Sequence, residues 1–261
     1  MNILSLNKIL WIYAGFFYFF LYGPLLMLTF LSFNSSEIVG FPFVGFSFKW
    51  YNLVLESPEL IKALFNSIGV GICTAFISTI LALLLAMGFR HDFPGKQLIL
   101  YLILVPIIIP GIIGGIVLLI FFGYSEIRPS LWSTVLIAHV NWVLPFAFLT
   151  LYPRIHGFDK SLEEAAMDLG AKPFNIFFKV IIPIIRPGII ATILFSFSLS
   201  FDEFVRTIFV TGFERTIPVQ FWGMIVDELA PQLPAMAVII ILISILTSLL
   251  GFIYINLSNK N

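Results

Sequence analysis

An all-α fold, a polytopic bundle of six membrane-spanning helices, is predicted by three observations. Of 261 residues, 60% are hydrophobic and 11% charged, whereas soluble domains are about 45–50% apolar and about 25% charged. The apolar residues gather into six runs, each near the roughly 20 residues that a spanning helix needs. One polar stretch, residues 161–183, interrupts them and carries helix signals of its own. A single transmembrane domain over residues 1–261 is therefore expected, in contact with a lipid bilayer. Lys and Arg number 14 and so do Asp and Glu, so no polyanionic partner is implied. The single Cys73 lies in an apolar run and reads as a small buried hydrophobe, with no disulfide framework.

In chain order, Ile9 to Phe33 is the first span. It is too long for a signal-peptide core and lacks a clear small-residue cleavage site, so it reads as retained. Asn34 to Lys62 reads as a loop, with Lys49-Trp50-Tyr51 suited to an interfacial position. Ala63 to Phe89 is the second span, followed by a charged turn with Arg90, His91, Asp92 and Lys96. Leu98 to Phe122 is the third, broken by Pro106, Pro110-Gly111 and Gly114-Gly115. Such breakers mark a kink, or a helix lining a pathway where a cavity or neighbouring helices re-satisfy the backbone. Leu131 to Tyr152 is the fourth span, with His139 expected to be a satisfied interior histidine rather than a ligand. Pro187 to Phe204 is the fifth, Val205 to Pro231 a mixed loop, and Leu233 to Leu257 the sixth.

The polar stretch reads as two short helices joined by a turn. Ser161 with Glu164 three residues later is a capping box. Leu162, Ala165, Ala166 and Leu169 follow on one helical face. Gly170 fits the left-handed position that ends helices, and Pro173 the first turn of the next. Phe174, Phe177, Phe178 and Ile181 repeat the spacing until Pro183 stops the run. The arrangement reads as a connecting loop, a docking surface or a DNA-reading helix–turn–helix. Flanking spans and the balanced charge argue against nucleic acid.

With the N-terminus cytoplasmic, the inner side carries Lys8, Arg90, Lys96, Arg154, Lys160, Lys172, Lys179, Arg186 and Lys260. The outer side carries Lys49, Lys62, Arg128, Arg206 and Arg215. Nine against five favours both termini and the polar stretch inside. No G-x-x-x-x-G-K-[ST] loop, no His/Cys pair with metal-ligand spacing and no G-x-S-x-G elbow occurs. The chain is expected to catalyse no bond-breaking and to bind no cofactor, so any energy source is a partner.

Glu164-Ala165-Ala166, three residues, Gly170, nine residues and Val180-Ile181-Ile182-Pro183 resemble the EAA motif of membrane subunits of bacterial ABC importers. Val180 and Ile182 stand where Ile and Leu are usual. The resemblance implies a type I (MetI-like) permease of the inner membrane with a cytoplasmic coupling loop, residues 153–186. Glu164, Ala165, Ala166, Gly170 and Pro183 would serve ATPase coupling, and the partner ATPase would hold ATP and Mg. Tyr22-Gly23-Pro24, Ser32-Phe33-Asn34-Ser35-Ser36, Lys49-Trp50-Tyr51, Asn66-Ser67, Ser196 to Glu203 and Phe209-Val210-Thr211-Gly212 resemble the spermidine/putrescine (PotC-type) branch. That branch implies a second homologous permease, ATP-binding ABC subunits and a periplasmic substrate-binding protein. Relatives carrying other solutes remain an alternative.

For the pathway, Thr192, Ser196, Ser200 and Glu203 fall on one helical stripe, with Asp202 about 100° from Glu203. An unbroken helix places both carboxylates in the outer half of the membrane, where facing lipid is costly. Ser196, Ser200, Asp202 and Glu203 are thus expected to line a path for ammonium groups. The competing reading is a local ion pair between Glu203 and Arg206. A self-contained secondary transporter or channel would need mid-span charges for ion coupling, and a membrane-bound enzyme would need a catalytic constellation. Neither feature is found.

Overall fold

A computed structural model describes residues 3–227 and 229–258. Lys260, counted above on the inner side, lies outside the described residues. The helices are α1 (Ile3–Leu31), α2 (Lys49–Glu56), α3 (Pro58–Gly88), α4 (Lys96–Ile108), α5 (Gly111–Tyr124), α6 (Leu136–His156), α7 (Ser161–Asp168), α8 (Pro173–Ile176), α9 (Ile182–Phe201), α10 (Thr207–Val210), α11 (Ile217–Asp227) and α12 (Leu233–Ser258). A π-helical turn at Leu131–Val135 leads into α6, and another at Phe177–Ile181 joins α8 to α9. Among the described residues, five helical segments are long and apolar enough to cross a membrane: Asn7–Leu31, Pro58–Gly88, Leu131–His156, Pro173–Phe201 and Leu233–Ile253. The bent pair α4–α5 makes six if counted as one span.

Several boundaries differ from the expected ones. The second span starts at Pro58, and the preceding loop contains α2, because Pro58 can occupy a first helical turn at no cost in hydrogen bonds. The loop after α9 likewise contains α10 and α11. The third span is not one helix: α4 and α5 meet at 107°. Ile109 precedes a proline and is pushed into an extended conformation (φ −72°, ψ 124°), which ends α4. At 13 and 14 residues, each half is about 20 Å long, short of a bilayer core of about 30 Å. Pro183 does not stop the run before the fifth span. The helical segment is continuous from Pro173 to Phe201, and Pro183 sits in the first turn of α9, directly after the π-turn, where an irregular hydrogen-bond ladder tolerates it.

The chain divides into two compact bodies, Met1–Ile61 with Phe221–Ile243, and Lys62–Gln220 with Ser244–Asn261. In the first, Asn34 organises the turn after α1. Its Nδ2 donates to the carbonyls of Gly40 and Pro42, and its Oδ1 accepts from the N–H groups of Ser36 and Val44. Trp50 is buried, with Nε1 donating to the Asn34 carbonyl at 2.7 Å.

In the second body, α6 and α9 form the central pair, with α4 against α6 and α10 against α5. One core, nearer α7, joins Ala82, Ala86 and Phe89 of α3 and its end to Phe148, Leu151 and Ile155 of α6 and to Ile181 and Ile185. The buried alanines let helices approach closely, which is how helices associate where lipid offers no hydrophobic drive. A second core, nearer the other end, gathers Val70, Phe122, Leu131, Val135, Ala138 and Val210. Cys73 is partly exposed on α3 rather than fully buried.

Candidate functional site

The polar stretch folds as α7, a tight turn and α8, with one change of cap. Ser161 is the first helical residue, not the cap, because Lys160 already has helical dihedrals. The Ser161 N–H donates to Asp159 Oδ1 at 2.9 Å, and the Glu164 N–H goes to the Lys160 carbonyl at 3.1 Å. A carboxylate is the stronger acceptor, so Asp159 displaces the expected capping box. The same bond holds the Asp159 carboxyl below its usual range. Gly170 is left-handed as expected, at φ 82°. Its N–H bonds the Met167 carbonyl and the Ala171 N–H bonds the Ala166 carbonyl, the paired bonds of a Schellman turn.

The expected single apolar face of α7 is split. Ala166 packs against the core, whereas Leu162, Glu164, Ala165, Met167 and Leu169 are exposed, Leu169 by 89%. Phe177 and Ile181 turn inward, while Phe174 and Phe178 point outward with ring centroids 4.6 Å apart. The result is an exposed apolar surface on short, polar-flanked helices. Arg90, at the end of α3, forms an ion pair with Glu163 and lies 5.7 Å over the Phe158 ring. No local spacing could have found that contact, since 73 residues separate the partners.

At the far end of α9, the hydroxyl stripe is buried rather than open. Thr192 Oγ1 donates to the Gly188 carbonyl, and Ser196 Oγ has no hydrogen-bond partner among the described residues. Ser200 Oγ lies 2.7 Å from His139 Nδ1, and Thr207 Oγ1 lies 2.7 Å from His139 Nε2. Thr207 gives its one hydroxyl hydrogen to the Glu203 carbonyl, so Nε2 must carry the hydrogen in the bond between them. His139 is thus the satisfied interior residue expected.

The helix ends at Phe201, with Asp202 capping it through a bond to the Ser198 carbonyl. Glu203 therefore leaves the stripe that an unbroken helix would have extended. Its Oε1 accepts from the Arg206 N–H at 2.8 Å and its Oε2 from Arg206 Nη1 at 3.2 Å. Both side chains are buried. This is the local ion pair. Asp202 alone of the two carboxylates is exposed. The guanidinium also lies 3.8 Å over the Trp142 ring of α6.

Residues 78–260 match the family described as binding-protein-dependent transport system inner membrane component. The chain is 35% identical over 230 residues to the spermidine/putrescine transport system permease protein PotC of Escherichia coli (strain K12), covering 87% of this chain and 86% of that one. It is 33% identical over 232 residues to the putrescine transport system permease protein PotI of the same strain, covering 85% and 82%. Among solved structures it resembles a chain of the bacterial alginate ABC transporter in complex with an alginate pentasaccharide-bound periplasmic protein. There the TM-score is 0.73 at 14% identity, over 95% of this chain and 92% of that one.

Proposed function

The chain belongs to the binding-protein-dependent transport system inner membrane components, a multi-pass permease family of the inner membrane, and from that membership we propose that it imports a polyamine. In this reading it is the membrane subunit of an ATP-driven importer, forming a single permease domain. The observation that carries the substrate is Asp202, an exposed carboxylate at the end of α9 remote from the docking helices. An exposed carboxylate there can pair with an ammonium, while Ser200, bonded to His139, and Glu203, paired with Arg206, hold the helix end that presents it, with Ser196 buried one turn before Ser200. ATP and Mg belong to a partner ATPase that docks on Glu164, Ala165 and their neighbours through the 153–186 loop. A second homologous permease and a periplasmic binding protein complete the machine.

In the importer reconstituted in proteoliposomes, Asp202→Asn should lower uptake of labelled spermidine and putrescine about tenfold, the worth of one charge-assisted hydrogen bond. Unchanged uptake would refute the polyamine pathway. The excess of Lys and Arg on the docking side supports a cytoplasmic loop. A cysteine introduced beside His156 should be labelled by an impermeant thiol reagent only from the cytoplasm, and one beside Glu214 only from outside. The reverse pattern overturns the orientation.

A further inference from the structure

Arg206 is held on every side. Glu203 accepts from its backbone N–H and from Nη1. The Trp142 ring lies under the guanidinium, at 3.8 Å from Cζ to the ring centroid, the geometry in which an aromatic face attracts a cation. The remaining side is made by two glycines of α5. A Cβ at Gly111 would stand 3.5 Å from Arg206 Nη1, and one at Gly114 would stand 3.6 Å from Nε. Two helices, α5 and α6, and the turn after α9 thus supply a fitted cage for one guanidinium, next to the break between α4 and α5. His139, through Thr207, fixes the backbone carbonyl of Glu203 behind it.

The consequence is electrostatic. Asp202 and Glu203 are adjacent, and without Arg206 this helix end would present two carboxylates. With Arg206 caged, the Glu203 charge is cancelled and Asp202 remains as the net charge of the trio. We infer that Arg206 is a specificity-determining residue: by neutralising Glu203 it sets how many positive charges this end of the pathway selects. The inference rests on the reading of Asp202 as a substrate contact. A single carboxylate discriminates weakly between a diamine and a triamine, because each offers it one ammonium at a time. Two carboxylates would reward the substrate with the additional ammonium.

The test uses the complete importer in proteoliposomes, with putrescine and spermidine as probes and kcat/KM measured for each. Arg206→Gln should raise the spermidine-to-putrescine ratio about tenfold, since it uncovers the Glu203 charge at short range. Arg206→Lys keeps the charge and should keep the wild-type ratio. Glu203→Gln with Arg206→Gln removes both charges and should return the ratio to that of wild type. A merely structural role for Arg206 would lower uptake of both amines in parallel and leave the ratio in place. Arg206→Met serves as the second charge-removing variant if the glutamine protein does not co-purify with its partners. A ratio unmoved by charge removal, or a shift that persists in the double variant, overturns the inference. Normal uptake of both amines by Asp202→Asn would instead sink the substrate reading beneath it.

Discussion

Ala165→Asp should abolish transport while leaving the protein in the membrane. Ala165 lies exposed on α7 among Leu162, Met167 and Leu169, all outward. Among the described residues none covers Ala165, so a carboxylate there should cost the isolated permease little. Covered by a docked ATPase, it becomes an unpaired buried charge, with a penalty of about 3–5 kcal/mol, enough for a loss of at least about a hundredfold. Gly170→Val acts on the turn instead. At φ 82° a β-branched residue is strained by about 1–2 kcal/mol, and the defect should be smaller. Uptake and ATPase co-purification measured together decide the matter. If both variants transport normally with the ATPase bound, the docking assignment is wrong.

Glu203→Gln should be the most destabilising single polar substitution at the far end of α9. It strips the carboxylate from an Arg206 side chain that is 5% exposed, and removing one partner of a buried pair costs about 3–5 kcal/mol. Adding Arg206→Gln should recover most of the loss, because the orphaned charge goes with it. Thermal denaturation of the detergent-solubilised protein reads both variants, with a drop of about 10 °C expected for the single one. Equal melting of the single variant, the double variant and wild type would show that the pair contributes no structural stability.

The spans were legible because hydropathy and length are local properties. The turn at Gly170 was legible because a left-handed position selects glycine almost by itself. Ser161 with Glu164 reads as a capping box in sequence, but Asp159 and Ser161 compete for the same backbone donors, and spacing cannot rank them. In sequence Pro183 reads as a stop, because a regular α-helix has no place for it. The π-turn at Phe177–Ile181, which leaves no signature in composition, gives it one. At the carboxylate end, the pairing of Glu203 with Arg206 could be read three residues apart. Trp142 and the glycines at 111 and 114 could not, since they arrive from α6 and α5 and meet Arg206 only in space.

The helical run from Pro173 to Phe201, π-turn included, would work as a shaft in the proposed importer. Its 29 residues measure about 44 Å at 1.5 Å each, with Phe174 and Phe178 at one end and Asp202 at the other. The π-turn at Phe177–Ile181, Pro183 and Pro187 lie between the two ends, so a push on one arrives at the other in the same stroke only if the segment moves as one piece. A pivot of about 10° at the ring-bearing end swings the carboxylate by about 8 Å, more than a hydrogen bond can span. Grip and release of a cation at one face of the membrane would then be timed by events at the other, with no messenger between them but the stiffness of a helix.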